Sequence, residues 1–187
     1  ISPSLDLRYF FNPDVMGYAS VSRGFKSGGF DQRRQAEGEI GKFDEEIATN
    51  YEVGIKSTWA NRRLQFNATL FLVDYEDFQS QAFDGANVRV TNAGDLRSYG
   101  SEIELIFIPL ADMTLGTAIG YNKAEYESFD NGQCTTEQVF YQYYVVENAQ
   151  SGSPGTSSLC TQDLAGEPLD NAPEWTVSSY VQYDLKL

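Results

Sequence analysis

The chain has 187 residues, with Asp+Glu 27 against Lys+Arg 13 and a formal net charge of −14. It is long enough for one domain with a sizeable core, and its acidity speaks against nucleic acid, which needs a basic footprint. It contains no histidine, which excludes Ser-His-Asp and Cys-His nucleophile systems, His-ligated zinc and haem held by a histidine of this chain. In chain order, "LDLRYF" (Leu5 to Phe10) alternates polar and apolar residues and meets a turn signal at Asn12-Pro13-Asp14. "VMGYASVS" (Val15 to Ser22) reads as a second strand.

The stretch "SRGFKSGGF" (Ser22 to Phe30) carries three glycines and a lysine. It fails as a phosphate loop because Phe30 stands where G-x-x-x-x-G-K-[ST] needs its lysine, and no apolar helical stripe follows. A glycine- and charge-rich segment continues to about Glu46.

"NYEVGIKSTW" then places Tyr51, Val53, Ile55, Ser57 and Trp59 on one face, and a polar turn at Ala60-Asn61-Arg62-Arg63 follows. "LQFNATLFLVDYEDFQSQAF" returns with Leu64, Phe66, Ala68, Leu70 and Leu72 aligned. A short connection at Asp84-Gly85-Ala86-Asn87 leads into "VRVTNAGDLRSYGSEIELIFI". There Ile103, Leu105 and Phe107 oppose Glu102 and Glu104, and a bulge is expected at Asn92-Ala93-Gly94-Asp95. After a turn at Pro109-Leu110-Ala111-Asp112, "MTLGTAIGYNKAEYESF" rises. Residues 130–171 are polar and rich in Gly, Ser and Gln. "EWTVSSYVQYDLKL" aligns Trp175, Val177, Val181, Tyr183 and Leu185.

About seven strands result, and their connections alternate between short and long. In an up-and-down meander this sorts all short turns to one end and all long loops to the other. That asymmetry belongs to outer-membrane barrels, with short periplasmic turns and long extracellular loops. Several strands also exceed the 5–6 residues usual in globular proteins. The low mean hydropathy of −0.40 agrees, because barrel strands alternate lipid-facing and lumen-facing residues.

The stretches "YASVSRGFKSGGF", "NYEVGIKSTW", "LQFNATLFLVDYEDFQ", "VTNAGDLRSYGSEIEL" and "LGTAIGYNKAEY" resemble the β-barrel domain of TonB-dependent outer-membrane receptors, in that family's order and over most of the chain. The pattern departs at Asp44-Glu45-Glu46, where a proline–glutamate pair is usual, and through residues 133–167. The resemblance implies an all-β, antiparallel, up-and-down transmembrane β-barrel segment of about seven strands. The barrel is incomplete, and residues 1–187 form one partial domain without the plug and the closing strands.

The resemblance also implies a location in the outer membrane of a Gram-negative bacterium and contact with its lipid. It implies uptake of a ferric siderophore or another scarce nutrient, and energy delivered by TonB through an N-terminal plug outside this segment. It implies no enzyme activity and no cofactor.

For ligand contact the candidates are Arg23, Lys26, Arg33 and Arg34 on the first long loop, which would either attract an anionic chelate or simply be solvated. On the last loop they are Phe140, Tyr141, Tyr143 and Tyr144, whose rings would stack on a sugar or chelator, or pack the loop itself. Cys134 and Cys160 are either two free thiols or one disulfide. The disulfide is favoured because the segment between them reads as an exposed loop in an oxidising compartment, and its closure is worth roughly 3–4 kcal/mol.

The carboxylates of Asp74-Tyr75-Glu76-Asp77 miss the EF-hand pattern and read as a solvated strand end. Glu102 and Glu104 project together and read as a polar lumen wall rather than a catalytic pair. The competing architectures are a soluble β-sandwich binding carbohydrate, which must bury its apolar faces between two sheets, and a small self-closing barrel. Under the barrel reading, Leu105 faces lipid and Glu104 the lumen.

Overall fold

The computed structural model describes residues 1–31, 41–83, 88–130, 132–141 and 161–185. Its strands are β1 (Ser4–Asn12), β2 (Val15–Lys26), β3 (Gly29–Asp31), β4 (Gly41–Phe43), β5 (Glu46–Trp59), β6 (Leu64–Glu76), β7 (Gln79–Phe83) and β8 (Val88–Asn92), followed by β9 (Leu96–Leu110), β10 (Met113–Tyr126), β11 (Gly132–Gln133), β12 (Thr161–Gln162) and β13 (Trp175–Tyr183), with one short helix, α1 (Thr136–Tyr141).

Seven long strands form a single antiparallel sheet in the order β1-β2-β5-β6-β9-β10-β13. Each long strand therefore pairs with the next long strand along the chain, the pattern of an up-and-down meander. The other strands are two-stranded ribbons, β3-β4, β7-β8 and β11-β12. Each lies within one of the three long connections, all at the same end of the sheet.

Local chemistry sets the turns at the opposite end. The Asn12 side-chain oxygen accepts from the Asp14 amide at 2.9 Å, an Asx turn that closes β1 onto β2. Between β5 and β6, Ala60, Asn61 and Arg62 take φ of 53°, 55° and 67°, the hand that matches the twist of the flanking strands.

Register fixes two distinct faces. Across the middle of the sheet, Gly17, Ile55, Ala68, Ile103, Ile119 and Val177 stand directly opposite one another. Around this row the face is apolar and open to solvent: Leu5, Leu7, Val53, Leu70, Ile103, Leu105, Val177 and Val181 are all exposed. One residue out of step lies the polar face, with Tyr18, Gly54, Thr69, Glu102, Gly120 and Thr176 in one row. A soluble sandwich would cover the apolar face with a second sheet. Among the described residues none does, so the sandwich is not favoured.

Aromatic residues bound the apolar face at both ends. Tyr51 and Trp59 on β5, Tyr99 and Phe107 on β9, and Trp175 and Tyr183 on β13 repeat one interval of eight residues. At about 3.3 Å per residue this is roughly 26 Å of strand. With a tilt of about 40° the height between the bands is about 20 Å, close to the apolar band of a membrane barrel. Tyr121 and Trp175 pack at 4.9 Å between ring centroids, and Tyr9 and Phe11 meet edge to face at 5.0 Å.

Two sequence expectations need correction. The run from Leu64 to Phe83 is not one strand. Asp77 takes φ 55°, ends the ladder after β6 and turns the chain into a separate ribbon. Nor is Asn92–Asp95 a bulge within one strand. Gly94 lies at φ 112°, and the chain breaks there between β8 and β9. In "SRGFKSGGF", Ser22–Lys26 does continue β2 into the loop, but its glycines make no left-handed bends. A side chain on Gly28 would meet the Phe43 carbonyl oxygen at 2.7 Å and the Glu45 nitrogen at 2.9 Å. Gly28 is thus required by close passage of two backbones.

The buried core is small and off-centre. Ala93, Leu96, Ala124 and Tyr126 are its apolar members, and all lie at the long-loop end.

Candidate functional site

Two regions carry polar structure. The first is the polar face. Three glycines there open space for aromatic rings from neighbouring strands: a side chain on Gly54 would meet the Tyr18 ring at 2.6 Å, one on Gly100 the Phe71 ring at 2.8 Å, and one on Gly116 the Tyr180 ring at 2.1 Å. Lying flat over Gly54, Tyr18 donates from Oη to Glu52 and stands 3.0 Å from Thr69 Oγ1. The Lys56 ammonium sits 5.5 Å from the centre of the same ring. Asn67 Nδ2 donates to Glu104 Oε2 at 2.8 Å. Glu102 is exposed on the same face.

These side chains border a concavity of about 580 Å³. It is a polar, hydrogen-bonded wall fit to line water. Glu104 is tied to an amide, and Glu52 to a phenol. Neither is paired with the other as an acid and base across a reacting bond would be.

The second region is the long-loop end. Here cation–carboxylate contacts ring the strand tops. Arg97 binds Asp74 at 2.7 Å and Glu127 at 2.5 Å, and Lys123 meets Glu125 at 2.7 Å. Asp74 of the "DYED" stretch is therefore an ion-pair partner. Glu76 lies 3.9 Å from Arg23, and the Asp77 carbonyl accepts from Asn92 Nδ2 at 2.7 Å. Tyr75, Phe78, Tyr126 and Phe129 form a chain of aromatic contacts, with centroids 5.9, 6.4 and 5.1 Å apart. Burial raises the Tyr126 phenol above its ordinary pKa, and Asp170 acts in the same direction.

The ligand-contact candidates separate in the structure. Arg23 and Lys26 lie on opposite faces of β2. Arg23 is beside Glu76 of β6, two strands away, at 3.9 Å, and Lys26 is beside Glu46 of the adjacent β5 at 3.8 Å, so each faces a carboxylate. Tyr141 ends α1 with its ring exposed. Phe140 belongs to the same helix, but its side chain lies outside the described residues, as do Arg33, Arg34, Tyr143, Tyr144 and Cys160. Cys134 is described, and it is not free.

Alternation alone did not point to the amides of Gln79 and Asn92, which join two loop ribbons. The only sequence signal was a glutamine directly after Asp77-Phe78, where a strand was expected to continue.

A single open antiparallel sheet, with one exposed apolar face between two aromatic bands and one polar face, is the wall of a membrane β-barrel. The family comparison agrees: the model for the TonB dependent receptor-like β-barrel matches residues 1–186. The chain belongs to that family.

Among solved structures it is similar to the ferric yersiniabactin uptake receptor FyuA from Yersinia pestis, at 18% identity and a TM-score of 0.68, covering 98% of this chain and 23% of that one. It is also similar to the alcaligin outer-membrane receptor FauA from Bordetella pertussis, at 18% identity and a TM-score of 0.57, covering 99% of this chain and 26% of that one. The siderophore receptor PirA from Pseudomonas aeruginosa aligns at 18% identity and a TM-score of 0.53, over 70% of this chain and 28% of that one. The chain thus spans about a quarter of the length of these receptors.

Proposed function

We propose that this chain is a section of the barrel of an outer-membrane transporter that takes up a ferric siderophore or another scarce nutrient in a Gram-negative bacterium. The observation that carries this reading is the sheet itself. Its apolar face is exposed between two aromatic bands and demands lipid, while the opposite face is built of Tyr18, Glu52, Thr69, Asn67 and Glu104 in hydrogen-bonded contact. Membership of the receptor family, and the uptake of ferric yersiniabactin named for one similar structure, support the substrate class.

In this orientation the turns at residues 12–15, 60–63 and 110–113 are periplasmic and the three long connections are extracellular. The loops capture ligand, the polar face guides it, and a plug domain with TonB outside this segment supplies energy. No catalytic residue and no cofactor is assigned. Contact with ligand falls to Tyr141 and the neighbouring Phe140, Tyr143 and Tyr144, and to the cations Arg23, Lys26, Arg33 and Arg34. A Cys134–Cys160 bridge would close the last loop. The non-free state of Cys134 supports it.

The test is uptake. A strain lacking the full-length receptor is supplied with radioactive iron as single hydroxamate, catecholate and phenolate chelates. Loss of uptake of one chelate, restored by the intact gene, is expected. Unchanged uptake of all of them would remove the ferric-chelate reading and leave another nutrient class.

A further inference from the structure

The extracellular ribbons β3-β4 and β7-β8 belong to different loops, yet one side chain fastens them together. Gln79 is 7% exposed. Its amide nitrogen has two hydrogens, and two backbone carbonyls of the other loop take them: Ser27 at 3.1 Å and Asp44 at 2.9 Å. The Gln79 backbone amide donates to Glu46 Oε2 at 2.8 Å, and the same carboxylate group faces Lys26 at 3.8 Å.

A second amide doubles the link. Asn92 accepts from the Asp44 backbone amide at 2.7 Å and donates to the Asp44 carbonyl at 3.2 Å and to the Asp77 carbonyl at 2.7 Å. Gly28 lets the two backbones of the first loop pass closely enough, with Phe43 O only 2.7 Å from where a Cβ would stand, so both the Ser27 and the Asp44 carbonyls come within reach of one amide.

Two carbonyls from separate parts of the first loop converge on one buried donor of the second. Without that donor the Ser27 carbonyl loses this partner and the Asp44 carbonyl keeps only the longer bond from Asn92 Nδ2 at 3.2 Å.

We propose that Gln79 is a positioning residue for ligand capture: its amide locks the first long loop to the second, so that the two ribbons present their surface as one body. Local stability in proteins is set by such contacts rather than spread evenly, and a locked pair of loops loses less freedom when a ligand binds. The role in capture rests on the transport reading. The lock itself does not, and it is tested without ligand.

The experiment is hydrogen–deuterium exchange with mass spectrometry on the full-length receptor in detergent micelles, comparing the native protein with Gln79→Leu and Asn92→Ala. Leucine fills much of the same volume and offers no donor. Exchange is expected to quicken about tenfold in both ribbons together, residues 27–31 with 41–45 and residues 77–83 with 88–92, as the loss of two part-buried hydrogen bonds implies. The spanning parts of β5 and β6 keep their rates, and the thermal midpoint of the barrel stays in place. Asn92→Ala gives a smaller change of the same paired kind. Should Gln79→Leu fail to fold, the Asn92→Ala pattern decides. Quickening confined to residues 77–92, or none at all, overturns the proposal.

If the lock is found but no chelate uptake depends on the receptor, the transport reading fails and the joint stands. If uptake is found but the two ribbons loosen separately, the joint fails and the transport reading stands.

Discussion

Register makes the sharpest prediction, at residues 103–105. Ile103 stands on the apolar face, directly opposite Ala68 and Ile119, and is 42% exposed in the isolated sheet. It lies four residues from Tyr99 and four from Phe107, so about 13 Å of strand separates it from each aromatic band. That places it at the midplane, where an arginine on the lipid face costs about 2–4 kcal/mol. Leu105 shares the face but lies two residues from Phe107. An arginine there can direct its guanidinium toward the interface, and the cost falls to about 1–2 kcal/mol.

Glu104 points to the polar face and accepts from Asn67. Glu104→Arg loses that bond, about 1 kcal/mol, and keeps a wetted environment. The assay is equilibrium guanidinium unfolding of the full-length receptor refolded into thin bilayers, read by tryptophan emission and by gel mobility of the folded barrel. The expected order of destabilisation is Ile103→Arg, then Leu105→Arg, then Glu104→Arg. A larger loss for Glu104→Arg than for Ile103→Arg would refute the assignment of faces and with it the membrane reading.

Other outcomes follow from single contacts. Tyr18→Phe keeps the ring over Gly54 and removes the hydroxyl shared by Glu52 and Thr69. It should cost about 1 kcal/mol in the same unfolding series, and no measurable loss would mean the hydroxyl is bound to water instead. Gly94→Ala puts a Cβ 2.1 Å from the Ser128 carbonyl at a φ of 112°. It should cost more than about 1 kcal/mol, with faster hydrogen exchange at Asp95, Glu127 and Ser128, whose amides bond across that junction. Alkylation of the unfolded, unreduced receptor segment should leave Cys134 and Cys160 unlabelled until a reductant is added. Labelling of both without reductant would show two free thiols.

Much of the architecture was legible because barrel strands report their environment at every second residue. Tyr51 to Trp59 and Ile103 to Phe107 alternate cleanly, and the structure places both runs on the apolar face. The order of short and long connections followed from turn residues such as Asn12-Pro13-Asp14. The break after β6 was not legible. Alternation carries on from Asp77 through Gln81, and a single residue at positive φ leaves no mark in a period-2 pattern. The role of the glycines of "SRGFKSGGF" was not legible for a related reason. A glycine needed for a bend and one needed for close backbone passage look alike in sequence, and only the approach of Phe43 and Glu45 to Gly28 tells them apart. The joint at Gln79 depends on contacts 33 to 52 residues away in sequence, beyond any local pattern.

The location of the buried core bears on how such a protein divides its stability. A soluble domain hides its apolar residues in the middle. Here the middle of the sheet exposes them on one face, and the buried apolar residues Leu96, Ala93, Ala124 and Tyr126 gather where the loops meet the strand tops. The strands therefore depend on lipid to satisfy Ile55, Ile103 and Val177, whereas the loops depend on this small core and on buried amides. Asp95 links the two kinds of structure: it precedes β9, and its carbonyl accepts the amides of Glu127 at 2.8 Å and Ser128 at 3.3 Å at the top of β10. Changes in the lipid-facing row should consequently alter whether the barrel inserts, and changes at Gln79, Asn92 or Gly94 should alter how the loops are held on a barrel that has already inserted. The two sets of variants should act additively, since distant sites with no shared partner do so. A strong coupling between Ile103→Arg and Gln79→Leu would mean that loop order and strand insertion form one cooperative unit.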